Sequence, residues 1–377
     1  MVTEPRAFAV YRDSLVAPSE PYVVDQPSHV PRYSPHWIGH RLGTVSTPPP
    51  DRTVVSTWGP HRLRRLAFLA GHDPVIDRAL RRIQPCLLHA HFGPDGMYAS
   101  ATARRLGIPL VVTFHGFDAT RPDLVRPSPG ARLWQHRRAA LFEQAALLVA
   151  VSDFVAGCLV ALGAPPHKVV RHYVGVDTAR FAPIHHDAGG DSDTANVLFV
   201  GRLIEAKGVF DLMRAMATVR RALPNATLTV LGEGEMRAEV ERLDQQLGLG
   251  TRLLGAQSHD EVLTALHRAD LLCVPSRTSQ LGQREGLGLV FAEAQACGLP
   301  VVSCRSGGIP EVVEHGVTGL LTDEGDVDAL AAAIIDLLGD QPRRVRFGLA
   351  ARERMVRQFD LQRQSTVLAD LYDRVVG

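Results

Sequence analysis

Two cations set between glycines are the first residues that could do chemistry. Gly201-Arg202-x4-Lys207-Gly208 follows a β-rich run, Asn196–Gly201, and opens a helical pattern. The first turn of a helix has free N–H groups and partial positive charge. With Arg202 and Lys207 it makes an anion site that suits a diphosphate. The spacing alone equally fits a surface turn with solvated charges. Glu285-Gly-Leu-Gly-Leu-x3-Glu293 is a second strand-to-helix turn. Gly286 and Gly288 allow close backbone approach, and the amides near Gly288 and Leu289 can hold phosphate oxygens. Glu293, about one turn into the helix, suits paired sugar hydroxyls. Ser306-Gly307-Gly308-Ile309-Pro310-Glu311 is a third such turn, with Pro310 suited to a first helical position. Each alone is compatible with chance; three on successive loops of one sheet edge are far less so.

The elements that must position these turns read most clearly in the second half. Strands are predicted at Asn196–Gly201, Ala226–Gly232, Arg252–Gly255, Asp270–Pro275 and Pro300–Ser303. Helices are predicted at Val209–Leu223, Glu235–Leu249, Asp260–Arg268 and Leu289–Cys297. Strands alternating with helices mean βαβ units on a parallel sheet, and near-continuous apolar strands mean both faces are covered. The first half repeats the theme with strands at Ala7–Tyr11, Leu87–Ala90, Pro109–Phe114 and Leu147–Val151, and helices at Met97–Leu106, Ala131–Ala145 and Phe154–Leu162. The expected fold class is α/β, with two doubly wound domains and a ligand cleft at the C-terminal ends of their strands. The expected boundaries are 1–181, a polar linker at 182–194, 195–358, and a C-terminal helix at 359–377 packing back towards the first domain.

A length of 377 residues agrees with two domains. The composition, 45% hydrophobic and 21% charged, is that of an ordinary globular protein and argues against general disorder. No apolar run reaches the roughly 18–20 residues that span a bilayer. MVTEPRAFAV lacks a basic stretch followed by an apolar one, so no secretory signal is expected. Five scattered cysteines without a Cys-x-x-Cys pair fit a reducing, cytoplasmic setting. The net charge of +1 hides a split: residues 1–180 carry 21 Lys and Arg against 13 Asp and Glu, and the remainder 20 against 27. A basic half can mark an anionic partner, or two lobes that attract each other. Lys207 is one of only two lysines in the chain. His89, His91 and His115 lack helical metal-ligand spacing, so no metal is expected, and His89 and His91 read as strand-end packing or loop residues. A dinucleotide oxidoreductase is disfavoured, because Leu231-Gly232-Glu233-Gly234 does not complete Gly-x-Gly-x-x-Gly.

The stretches VLFVGRLIEAKGVFDLMRAM, LTVLGEGEMRAEVE, EGLGLVFAEAQACGLPVVSC and SGGIPEVVEHGVTGLL resemble retaining family-4 glycosyltransferases of the GT-B fold. The resemblance is dense over 196–335 and thinner over 87–181, where HAHFG, VVTFHGFD and VGVDTARFAP carry it. The wording is nearest the subgroup with colanic-acid-type exopolysaccharide glycosyltransferases. The resemblance implies a nucleoside-diphosphate sugar, UDP- or GDP-linked, as a substrate, with no cofactor. It implies that Arg202 and Lys207 neutralise the diphosphate leaving group, with Gly201 opening their loop, and that Glu293 holds the ribose. Glu285 would lie by the donor sugar, and the amides of Gly288, Leu289 and Val290 by the phosphates. The segment Arg252–Leu254, with Arg252 and Leu253, would face the nucleobase mainly through backbone groups. His115 would sit near the reacting carbon, with Gly116 allowing close approach and Asp118 positioning the loop.

The chain departs from the family pattern at its first strand, where no Gly-Gly loop follows. Ser19-Glu20-Pro21-Tyr22 stands there instead, making Ser19 and Glu20 acceptor-side candidates or, equally, a helix N-cap and a first-turn carboxylate. Pro60–Pro85 holds six arginines among apolar residues. It reads as a basic amphipathic helix on an anionic membrane or as an ordinary packed surface helix, with a break at Gly71–Pro74. The acceptor is either a polyprenyl-linked glycan or a small natural product, and nucleic acid is not an expected partner. The competing class is a non-catalytic nucleotide-sugar binder or partner subunit.

Overall fold

The computed structural model describes residues 4–15, 20–43, 51–120, 129–184 and 195–377. The chain forms two compact units, residues 1–175 with 361–377, and residues 176–360. Residues 176–181, assigned from the sequence to the first domain, therefore belong to the second unit. Most of the expected linker, 185–194, lies outside the described residues, as does Ser19.

The first unit holds strands β1 (Arg6–Tyr11), β2 (Tyr33–Gly39), β3 (Thr53–Val55), β4 (Leu88–His91), β5 (Leu110–Phe114), β6 (Leu147–Ala150) and β7 (Val169–Arg171). They form one parallel sheet in the order β3-β2-β1-β4-β5-β6-β7. β4, β5 and β6 are buried along their whole length, because helices cover both faces. The helix Leu361–Val376 returns to this unit. Leu368, Leu371 and Tyr372 pack with Phe8, Val10, Tyr33 and Trp37, and the Tyr372 ring lies 5.2 Å from those of both Phe8 and Tyr33.

The second unit holds β8 (Asn196–Val200), β9 (Thr227–Leu231), β10 (Arg252–Gly255), β11 (Leu271–Cys273), β12 (Val301–Cys304) and β13 (Gly319–Thr322). Its order is β10-β9-β8-β11-β12-β13, again all parallel. In both sheets the chain first builds outwards one way and then restarts on the other side of the first strand. The reversal leaves a crevice at the carboxyl ends, beside β1 and β4 in one unit and β8 and β11 in the other.

Residues 60–85 do not make one continuous amphipathic helix. His61–Leu69 and Pro74–Ile83 are separate helices, because Gly71 turns the chain at φ +84° and Asp73 caps the second helix by accepting from the Val75 and Ile76 amides. The first helix exposes Leu63 and Leu66 beside Arg62. Among the described residues no helix is long and apolar enough to cross a membrane.

Candidate active site

In the second unit the exit of β8 carries Gly201 and Arg202 and then a short 3-10 turn, Glu205–Lys207. Gly208 caps the following helix, Val209–Ala222, at φ +67°. A Cβ there would lie 2.0 Å from the Pro275 carbonyl oxygen, so only glycine lets the β11 exit close onto this turn. Lys207 Nζ donates to Glu285 Oε2, and Ser276 Oγ lies 3.4 Å from the same oxygen. Gly308 N–H donates to the Glu285 carbonyl at 3.0 Å, and Gly307 packs against it so closely that a Cβ would come within 2.0 Å. The loops after β8, β11 and β12 therefore converge on Glu285.

Gly288 caps Leu289–Ala296 at φ +86° without a side-chain cap, and among the described residues no side chain accepts from the Leu289 or Val290 N–H. Glu293 is buried on this helix, its Oε1 3.8 Å from His259 Nε2. Arg202 is exposed and, among the described residues, forms no ion pair. Arg252 and Leu253 lie within β10 rather than past its end. Arg252 opens β10 opposite Thr229, whereas the edge is reached by Gly255, whose carbonyl accepts from Gly232 N–H at 2.7 Å.

The first unit builds its own cluster at the β1/β4 reversal. Arg12, just past β1, donates to Asp95 Oδ2 at 2.7 Å and to both Glu20 oxygens at 2.9 and 3.0 Å, with its guanidinium 4.4 Å from the Phe92 ring centre. Glu20 is thus an ion-pair partner rather than a first-turn carboxylate; the following helix, Tyr22–Ser28, has Pro21 as its N-cap. His115 follows β5. Asp118 organises its loop: Oδ1 accepts from the His115 and Gly116 amides at 3.1 and 3.0 Å, and Oδ2 from the Gly93 amide at 2.9 Å. The His115 ring lies 4.6 Å from both Tyr22 and Phe92, and its Nε2 is 3.0 Å from His91 Nδ1. His91 stacks on His89, which is hydrogen-bonded to the Tyr372 and Thr113 hydroxyls at 2.6 Å each. Tyr22, Gln26, His89, His91, Thr113 and His115 line a pocket here.

A family model described as Glycosyl transferases group 1 matches residues 183–354, and one described as Glycosyltransferase Family 4 matches residues 28–180. The amylovoran biosynthesis glycosyltransferase AmsK of Erwinia amylovora is 31% identical over 76% of this chain and 69% of its own. The chain belongs to the family-4 glycosyltransferases. A GDP-mannose-dependent phosphatidylinositol monomannoside mannosyltransferase of Mycolicibacterium smegmatis is 37% identical over 55% of this chain, and the match spans only 56% of that enzyme. Among solved structures, sucrose-phosphate synthase from Thermosynechococcus elongatus has a TM-score of 0.79 at 22% identity, covering 98% of both chains. Anabaena Alr3699/HepE in complex with UDP also has 0.79, at 21% identity, covering 98% of this chain and all of its own. These likenesses establish the GT-B α/β fold.

Within this family-4 chain, Lys207, Glu285 and Gly288 come together in the second unit, and His115, Gly116 and Asp118 in the first. The His91–His115 contact was not anticipated. Its signal is period two: His89 and His91 share one face of β4, and Thr113 and His115 continue that face from β5, with His91 in register with Thr113. Among the described residues no group of three or more metal-ligating side chains forms.

The buried histidines are expected to make the first unit less stable at acid pH. Burial holds His89 down at about 3, helped by the charge of His172, and holds His172 at about 4 although its bond to the Gln364 carbonyl pulls the other way. Their folded values lie below the unfolded value of about 6.5. Their stability contribution is therefore complete above that value and is lost as pH falls, by about 1.4 kcal/mol per unit for each ring. Asp118, pushed up by burial to about 6, has the opposite sign and is a single group. Unfolding at pH 5 is expected to take up close to one proton at each of these two rings and to release most of one from Asp118, a net uptake of about one proton from the three groups together; calorimetry in buffers of different ionisation enthalpy measures this, and zero net uptake contradicts it.

Proposed function

We propose that this chain transfers a sugar from a nucleoside-diphosphate donor, UDP- or GDP-linked, to an acceptor hydroxyl, with retention and without a metal ion. The observation that carries the reading is Lys207 joined to Glu285 at the β8/β11 reversal of a family-4 chain. Departure of the nucleoside diphosphate builds negative charge on the β-phosphate. Lys207, Arg202 and the Leu289 and Val290 amides supply fixed positive charge for it, and such preorganised stabilisation is usually the largest catalytic contribution. Once a diphosphate engages Lys207, Glu285 is free to accept from hydroxyls of the donor sugar. Glu293 holds the ribose. His115 serves the transfer step, its loop tied by Asp118. Donor chemistry of both kinds occurs among similar proteins: the mannosyltransferase is GDP-mannose-dependent by name, and HepE is complexed with UDP-glucose.

The acceptor belongs with the basic unit. Leu63 and Leu66 exposed beside Arg62 favour an anionic or membrane-borne acceptor over a neutral soluble one. A thermal-shift series with UDP-glucose and GDP-mannose, followed by an assay for released nucleoside diphosphate, tests the reading. One nucleotide class is expected to raise Tm and to be turned over; no shift with either refutes it. A shift without turnover favours a binding subunit. Flotation with anionic vesicles at low salt tests the acceptor side, and the absence of binding removes the membrane.

A further inference from the structure

We propose that His91 is a positioning residue that fixes the proton of His115 on Nδ1, so that His115 meets substrate as a hydrogen-bond donor. The inference deepens the proposed function and rests on its placing of His115 in the transfer step. His91 Nδ1 and His115 Nε2 are 3.0 Å apart, with the rings stacked at 5.2 Å. Burial keeps both rings neutral, and the charge of Arg12 acts on both in the same direction. Two neutral imidazoles sharing one hydrogen bond allow two arrangements. If His115 Nε2 carried the proton, His91 would carry its own on Nε2. That atom is buried and, among the described residues, has no hydrogen-bond partner, and an orphaned buried N–H is among the rarest features of folded proteins. With the proton on His91 Nδ1, a bare lone pair is left at Nε2, the lesser penalty. His115 Nε2 then accepts and its Nδ1 carries hydrogen.

The surroundings hold this arrangement. His89 stacks on His91 with its own nitrogens bonded to Tyr372 and Thr113, so it offers neither a proton nor an acceptor. Asp118 reaches His115 through the backbone amide. Arg12 is paired with Glu20 and Asp95. His172, whose charge would act on His89, bonds the Gln364 carbonyl. Tyr22 and Phe92 confine the His115 ring. A neutral His115 of this tautomer hydrogen-bonds a substrate oxygen and does not take the acceptor's proton.

The experiment is long-range 1H–15N correlation on the full chain labelled at histidine, with His115 assigned by its loss in His115→Ala. The wild type is expected to show His115 protonated at Nδ1. His91→Asn, whose amide N–H stands in for Nδ1–H, is expected to keep that tautomer and kcat. His91→Leu is expected to lose it and to lower kcat roughly tenfold, the worth of one hydrogen bond, at unchanged donor KM. Thermal melts confirm that each variant folds. An Nε2-protonated His115 in the wild type, or equal kcat in the Asn and Leu variants, overturns the proposal. The underlying reading fails separately: unchanged kcat in His115→Ala removes His115 from the reaction and leaves the tautomer result standing.

Discussion

Lys207→Ala is expected to lower turnover roughly 10²–10³-fold, the usual cost of removing one preorganised donor from a developing anion. The reason lies in where the ammonium sits. Lys207 is held between the Gly201 turn and Glu285, with only 18% of its side chain exposed. A charge so shielded is screened less by water and salt than a surface charge. The substitution also leaves Glu285 without its cation, close to where the diphosphate charge grows, so repulsion adds to the lost attraction. Arg202 is exposed, and Arg202→Ala is expected to cost less, about tenfold, with a stronger dependence on salt. Glu293→Ala separates binding from chemistry: it is expected to raise the Kd for the nucleoside diphosphate while kcat falls less. Steady-state kinetics with isothermal titration measures all three. Unchanged kcat and diphosphate affinity in Lys207→Ala would falsify the phosphate assignment.

Asp118→Ala is expected to be the most destabilising single change at the first unit's site, by about 3 kcal/mol or more, since each orphaned buried N–H costs about 1–3 kcal/mol. Its carboxylate accepts from three amides, those of Gly93, His115 and Gly116. The bond to Gly93 ties the exit of β4 to the exit of β5, so the substitution also frees the His115 loop from the sheet. Activity is expected to fall further than unfolding alone explains. Asp118→Asn divides the effect: its carbonyl can still accept from His115 and Gly116, but its NH2 then faces the Gly93 N–H, donor against donor. An intermediate loss is expected. The pH dependence has a definite sign. With a folded value of about 6, above the ordinary carboxylate value of 3.8, the contribution from Asp118 is complete below 3.8 and is lost as pH rises through 6. The Asn variant is expected to lack this decline. Chemical denaturation at two pH values reads both effects, and a stability of Asp118→Ala within experimental error of wild type would contradict a structural role for these three bonds.

Much of the second unit is legible in the sequence, because its strands are rich in apolar residues and two of its helices, Val209–Ala222 and Leu289–Ala296, begin directly after a glycine. The first unit was less so. β2 contains Pro35 and His36 and does not read as a strand, yet it pairs with β1 from Arg6↔Tyr33 to Tyr11↔Ile38. β3 and β7 have only three residues each, too few for a periodic signal. The helix predicted from Met97 begins at Gly93, since Pro94 is tolerated in a first helical turn. Arg252 and Leu253 lie within β10, in register with Thr229 and Val230 of β9, a pairing that no local pattern announces.

The local turns were determined by sequence alone: Gly201 to Gly208, Glu285 to Glu293, and Ser306 to Glu311 are each short enough for neighbouring residues to dictate. The sequence also determined the family. What only tertiary structure decided is which turns meet. Lys207 and Glu285 are far apart in the chain, and Tyr22 is far from His115. Sheet order brings the first pair together, and the register of β4 against β5 sets His91 on His115. Pairing between distant strands depends on burying whole faces at once, which no local stretch of chain encodes.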